Sequence, residues 1–189
     1  MKIFTFIALC ILIMASCTQE KECPAFNEAD KVLIPYDGNE TLTFVNQYTD
    51  TLQIILSEMI LNEAYTFSCK NMDGVCACTN YAEIPSADAP GAYFLRFEQS
   101  DASTVQYYKY DILEFEFEFD FINELPYIDD FDNMELANNI IVNNISYTNV
   151  VVAKNLSYTS SDLSKVYFNQ LQGILKFEEK NSDKIWEIR

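Results

Sequence analysis

The chain contains no histidine and only four glycines, and its 12 lysines and arginines are outnumbered by 29 aspartates and glutamates. Without histidine there is no usual general base near neutral pH, no Ser–His or Cys–His nucleophile pair, and none of the imidazole ligands on which most zinc and copper sites depend. A formal charge of -17 argues against nucleic acid as a partner, because affinity for the phosphate backbone is supplied by lysine and arginine. Scarce glycine ordinarily suggests helices, yet a sustained 3.6-residue apolar period is missing too. Apolar and aromatic side chains are what the chain has in quantity. Hydrophobic residues make up 49% of the 189 positions and Phe, Tyr and Trp 14%, too much for the composition of disordered chains. At this length one compact domain is expected.

One long apolar run opens the chain. Lys2 is followed by residues 3–15, in which Thr5 is the only polar member. A membrane-spanning helix needs about 20 apolar residues, so this run has the length of a signal-peptide core. It ends in Met14-Ala15-Ser16-Cys17. Small residues before a cysteine resemble the bacterial lipobox, with Met14 where leucine is commonest. The expectation is a signal peptide over residues 1–16, an acylated Cys17, a polar tether over 17–22 and a single β domain over 23–189. Loss of the signal removes Lys2 alone among the charged residues, leaving 11 basic against 29 acidic side chains and a charge of -18. Membrane attachment would then depend on the acyl chains, since anionic headgroups repel such a protein.

Beyond Cys10 in the signal and Cys17 at its end, four cysteines remain, at Cys23, Cys69, Cys76 and Cys78. An even number in an exported chain points to two disulfides, with three pairings open. Zinc is the competing reading, because Cys69, Cys76 and Cys78 could supply thiolates; the absence of histidine and of a CxxC spacing argues against it. Asp73-Gly74 is a strong two-residue hairpin turn that would set Cys69 opposite Cys78 and leave Cys76 for Cys23. Pairing Cys69 with Cys76 requires a different turn register.

Elsewhere β-branched and aromatic residues alternate with polar ones in short runs bounded by turn residues. Strands are predicted over 31–36, 41–45, 51–56, 65–69, 75–81, 92–98, 173–178 and 184–188, with single helical turns at 132–138 and 161–164. The predicted fold is all-β, an antiparallel meander forming a curved sheet, a half-barrel or a sandwich, with little helix.

The sharpest pattern within the domain runs from Leu113 to Phe121, where apolar and acidic residues alternate. A strand's two-residue period puts Phe115, Phe117, Phe119 and Phe121 on one face and Glu114, Glu116, Glu118 and Asp120 on the other. The Phe face reads as core. The acidic face, with Asp129, Asp130 and Asp132 following, has three readings: a solvated face that discourages edge stacking, a patch for a basic protein or glycan partner, or part of a calcium site. Calcium needs carboxylates converging from a loop, whereas carboxylates spaced along a strand do not converge. No catalytic residues and no resident cofactor are assigned; with 29 acids, carboxylate pairs of the glycosidase kind arise by number alone.

The cysteine at the lipobox, Cys23-Pro24-Ala25-Phe26, the Cys76/Cys78 pair and the ending Gly173-Ile174-Leu175-Lys176-Phe177 with Trp186-Glu187-Ile188 together resemble outer-membrane lipoproteins of Bacteroidota of unknown function. The resemblance implies a β-rich, lipid-anchored protein of the outer membrane, exposed at the surface or facing the periplasm, with the matching residues at scattered points only and no binding residues to transfer. Two functional classes follow. One is a non-catalytic envelope or cell-surface lipoprotein that binds a protein or glycan or has a structural role. The other is a carrier whose curved sheet encloses a lipid or other apolar ligand, in a cavity of about 300–1,000 Å³ lined by Phe, Leu and Ile.

Overall fold

The computed structural model describes residues 19–69, 78–88, 93–100, 108–112, 115–120, 125–126, 134–154 and 162–189. The chain begins with β1 (Gln19–Cys23), a 3-10 helix (Glu28–Leu33), β2 (Thr41–Asn46), β3 (Thr51–Ile55), β4 (Ile60–Leu61) and β5 (Tyr65–Cys69). There follow β6 (Thr79–Pro85), β7 (Tyr93–Ser100), β8 (Tyr108–Ile112), β9 (Phe115–Asp120) and β10 (Leu125–Pro126). The last third supplies β11 (Met134–Ala137), β12 (Ile140–Val142), β13 (Ile145–Tyr147), β14 (Val150–Lys154), β15 (Leu163–Asn169), β16 (Gly173–Glu179) and β17 (Ile185–Ile188).

The all-β antiparallel expectation holds. A seven-stranded sheet runs β11-β14-β15-β16-β17-β2-β3 and does not close into a barrel, and a six-stranded sheet runs β10-β9-β8-β7-β6-β4. Their buried residues form one core: Phe44, Phe168 and Phe177 from the first sheet meet Ile84, Phe94 and Phe97 from the second. This is the sandwich form of the predicted architecture. The sheets are stitched at one corner, where the Ser57 amide donates to the Pro85 carbonyl (2.9 Å) and the Ala87 amide to the Ile55 carbonyl (2.8 Å).

β14 shows how a strand serves two layers. Val150, Val151, Val152 and Ala153 are all buried. Val151 and Ala153 enter the main core, while Val150 and Val152 join Val142 and Leu175 beneath the β12–β13 hairpin. A strand covered on both faces reads as an unbroken apolar run rather than an alternation.

Three local expectations are corrected. Residues 31–36 were expected as strand, but 28–33 form the 3-10 helix. Asn27 caps it by accepting from the Ala29 amide (3.1 Å), and Glu28 and Asp30 suit its first turn. The helical turns expected at 132–138 and 161–164 give way to β11, which pairs with β14, and to β15, which starts at Leu163. Sheet pairing outweighs weak local preference there.

The disulfide expectation is corrected as well. Cys23 is bonded to Cys78, with their Cα atoms 5.6 Å apart, so neither Cys69–Cys78 nor Cys23–Cys76 forms. The physical reason lies in the partner of β5. It pairs with β1, which overlaps the stretch read as a tether, in a register that sets Cys23 opposite Tyr65 and Gln19 opposite Cys69. Cys76 lies outside the described residues.

Asparagine takes over much of the turn work that glycine usually does. Asn39, Asn139, Asn143, Asn144 and Asn149 all have positive φ, as do Gly38 and Gly173. Asparagine tolerates the left-handed region better than most residues but at some cost. In the β12–β13 hairpin Asn143 and Asn144 form the two-residue loop between Val142 and Ile145, and the Asn143 amide donates to Glu187 (3.2 Å). Asn144→Gly would give the favoured Asn-Gly turn and keep that contact. The variant should gain roughly 0.5 kcal/mol and melt about 1–2 °C higher, as measured by thermal unfolding.

Candidate functional site

A cleft of about 720 Å³ opens beside β3, between it, the turn after β6 and residues of β15, β16 and the turn that follows β16. Its floor is apolar: Leu163 and Phe177 are buried, and Leu52 and Ile54 are half-buried against the core. Strand alternation produces this floor. In β3 the even residues turn inward while Thr51, Gln53 and Ile55 are exposed. The mouth is polar, with Asp88, Asp162 and Glu179 as its three carboxylates beside Gln53, Ser86, Asn181 and Ser182. Among the described residues no lysine or arginine lines it.

Glu179 is the most constrained of these acids. One carboxylate oxygen accepts from the Ser182 hydroxyl (2.5 Å) and the other from the Trp186 indole N–H (2.7 Å). These bonds, Ser182 first, hold its carboxyl below the usual range. It is therefore a fixed negative charge at neutral pH. Trp186 is in turn stacked on Phe177, with ring centroids 6.2 Å apart, and Lys184 lies over its ring at 5.5 Å. The wall of the cleft is thus a packed unit reaching from core to rim. On the same edge Asp50 is also held low, chiefly by its bond from the Asn46 side-chain amide (3.0 Å) and then by Lys184 (3.3 Å).

Away from the cleft the core is rich in aromatic side chains. Phe44, Phe94, Phe97 and Phe168 are fully buried, with edge-to-face pairs such as Tyr36–Phe94 at 5.5 Å and Phe44–Phe177 at 5.1 Å. What the site offers is an apolar surface about the size of a small-ligand pocket, open to solvent and rimmed by negative charge.

The sequence-predicted site residues that the structure describes do not line the cleft. Cys17, Glu114, Asp129, Asp130 and Asp132 fall outside the described residues. Glu116, Glu118 and Asp120 do lie on a strand, β9, whose backbone register sets them opposite Asp111, Lys109 and Leu125 respectively. Among the described residues no cluster of three or more acidic or cysteine side chains is arranged to hold a metal ion, and no helix is long and apolar enough to cross a membrane. The cleft acids went unnoticed because Asp88, Asp162 and Glu179 come from separate segments that only the fold unites. No family model, curated protein or solved structure matches the chain.

Proposed function

We propose that the chain is a non-catalytic lipoprotein of the cell envelope, held at the outer membrane by acyl groups on Cys17 and binding a partner through the cleft beside β3. The cleft carries this reading. It joins an apolar floor of Leu52, Ile54, Leu163 and Phe177 to a mouth with three carboxylates, a combination suited to holding a ligand. The lipobox-like ending of the apolar run supports the anchor. The carrier reading has one observation in its favour, since the cleft volume falls in the range of a small-ligand pocket. Its open, charged mouth suits capture at a surface better than enclosure of a lipid.

Native mass spectrometry of the protein purified from its own membrane tests both readings. The expected spectrum carries acyl mass on the peptide beginning at Cys17, and Cys17→Ala moves the protein to the soluble fraction. An unacylated Cys17 would overturn the anchor. A lipid retained without regard to Cys17 and lost on substituting Leu163 by Asp would favour the carrier.

A further inference from the structure

Most of the stretch expected to tether the domain is folded. β1 begins at Gln19, so Thr18 alone separates it from Cys17, and two residue steps span at most about 7 Å. From Gln19 to Cys23 the strand runs roughly 14 Å, paired along its whole length with β5. The end of this ribbon at Gln19 and Cys69 is the one next to Cys17. Its other end is fixed to the body through both strands. Cys23 is bonded to Cys78, and the Tyr65 hydroxyl donates to the Thr79 carbonyl (3.2 Å). Just before β5, the Asn62 amide donates to the Tyr81 carbonyl (3.1 Å), and the Asn62 side-chain oxygen accepts from the Tyr81 amide (2.7 Å). The Phe26 amide, just after β1, donates to the Asn62 carbonyl (3.2 Å). Residues 78–81 at the head of β6 therefore hold β1 by a covalent bond and β5 by hydrogen bonds.

The two faces of the ribbon differ. Glu20 stands opposite Ser68 and Glu22 opposite Thr66, and all four are exposed. On the other face Lys21 and Phe67 are half-buried, Cys23 is buried, and the Tyr65 and Phe67 rings lie 6.0 Å apart. Carboxylates and hydroxyls suit a hydrated headgroup layer and not the hydrocarbon beneath it. The acid excess of the whole chain also resists laying the body against an anionic leaflet.

We propose that the β1–β5 ribbon is a stalk that meets the bilayer: its Gln19–Cys69 end stands in the headgroup layer, and its base at Cys23 and Tyr65 carries the body within about 20 Å of the lipidated residue. This rests on acylation of Cys17 and names the element that touches the lipid. A short paired ribbon fixed at its base on both strands holds the body at one height and in one orientation, whereas six unpaired residues would leave both free.

The test is tryptophan quenching with the full acylated protein in vesicles of phosphatidylethanolamine and phosphatidylglycerol that carry a nitroxide either on the headgroup or deep in the acyl chain. Trp186 is the only native tryptophan, so the parent supplies the baseline. Ser68→Trp and Thr66→Trp place a second one on the exposed polar face, where circular dichroism should match the parent. Ser68→Trp should be quenched by the headgroup label more than by the chain label, and more than Thr66→Trp, which lies nearer the base. A spacer of about eight glycines and serines inserted between Thr18 and Gln19 adds a mean span of roughly 16 Å and should lower the Ser68→Trp quenching by about half or more. Equal quenching at the two sites, stronger quenching by the chain label, or quenching that survives the spacer would each overturn the stalk. Cys17→Ala separates the two levels. A Cys17→Ala protein that still sediments with the vesicles overturns attachment through Cys17 and the stalk with it. A soluble Cys17→Ala protein, beside an acylated parent whose Ser68→Trp variant is not quenched, overturns the stalk alone.

Discussion

Replacing Cys23 and Cys78 together by alanine is expected to destabilise the domain by about 4 kcal/mol, the chain-entropy value for a loop of this size. The two residues are separated by 55 positions, and both are buried. Their bond ties β1, which carries the start of the described chain, to the residue immediately before β6. Among the described residues β1 pairs with β5, and Phe26 reaches the core beside Phe97 at 6.0 Å. Loss of the bond therefore removes the covalent tie between the β1–β5 ribbon and the start of β6. A melting temperature lower by roughly 8–16 °C is expected. Peptide mapping under non-reducing conditions should join the peptide containing Cys23 to the one containing Cys78. A Cys69–Cys78 link, or a variant melting within about 2 °C of the parent, would contradict the assigned bond.

Gly173→Ala should be nearly as damaging, at about 4 kcal/mol, for a different reason. Gly173 has φ +78°, and a methyl group there would stand 2.1 Å from the Tyr36 hydroxyl oxygen and 2.2 Å from the adjoining ring carbon. The ring has little room to retreat. It is buried, sits edge-to-face on Phe94, and its hydroxyl accepts from the Ile174 amide at 2.6 Å. Positive φ costs an alanine about 1 kcal/mol, overpacking about 1–3, and an orphaned buried amide about 1–3. Equilibrium denaturation should show a lower midpoint with an unchanged slope. A shift under about 1 kcal/mol would mean that Tyr36 moves freely, against the packing described.

Strand content was legible because β2 and β3 carry their inward hydrophobic residues at the period that a sheet imposes. Leu42, Phe44 and Asn46 turn inward as the alternation requires. Partnership was not legible. Asp73-Gly74 suggests a hairpin beginning at β5 but says nothing of β1, with which β5 pairs; a turn motif states what bends easily and not which strand lies within reach. The turns expected at 132–138 and 161–164 overlap β11 and the first two residues of β15, where so few residues give too short a sample for period to decide. The cleft was the least visible feature. Its residues share no spacing, and Glu179 gains its role from Ser182 and Trp186, which are brought to it by the final turn. The Phe and acid alternation around β9 drew most notice as a pattern, while the quieter Thr51-Leu52-Gln53-Ile54-Ile55 borders the cleft.

The position of β17 has a consequence for the order in which the molecule can be built. β17 lies between β16 and β2, with Trp186 opposite Asn46 and the Arg189 amide donating to the Thr43 carbonyl (2.9 Å). A chain made from its N terminus presents β2 and β3 early, but their place in the seven-stranded sheet exists only after the last strand has arrived. Pairings so distant in sequence are slow to close. Leu52 and Ile54 reach Leu163 and Phe177 across the cleft through that same strand. The last residues therefore act as a clasp, and a polypeptide stalled or cut before β17 would lack the binding surface as well as the sheet.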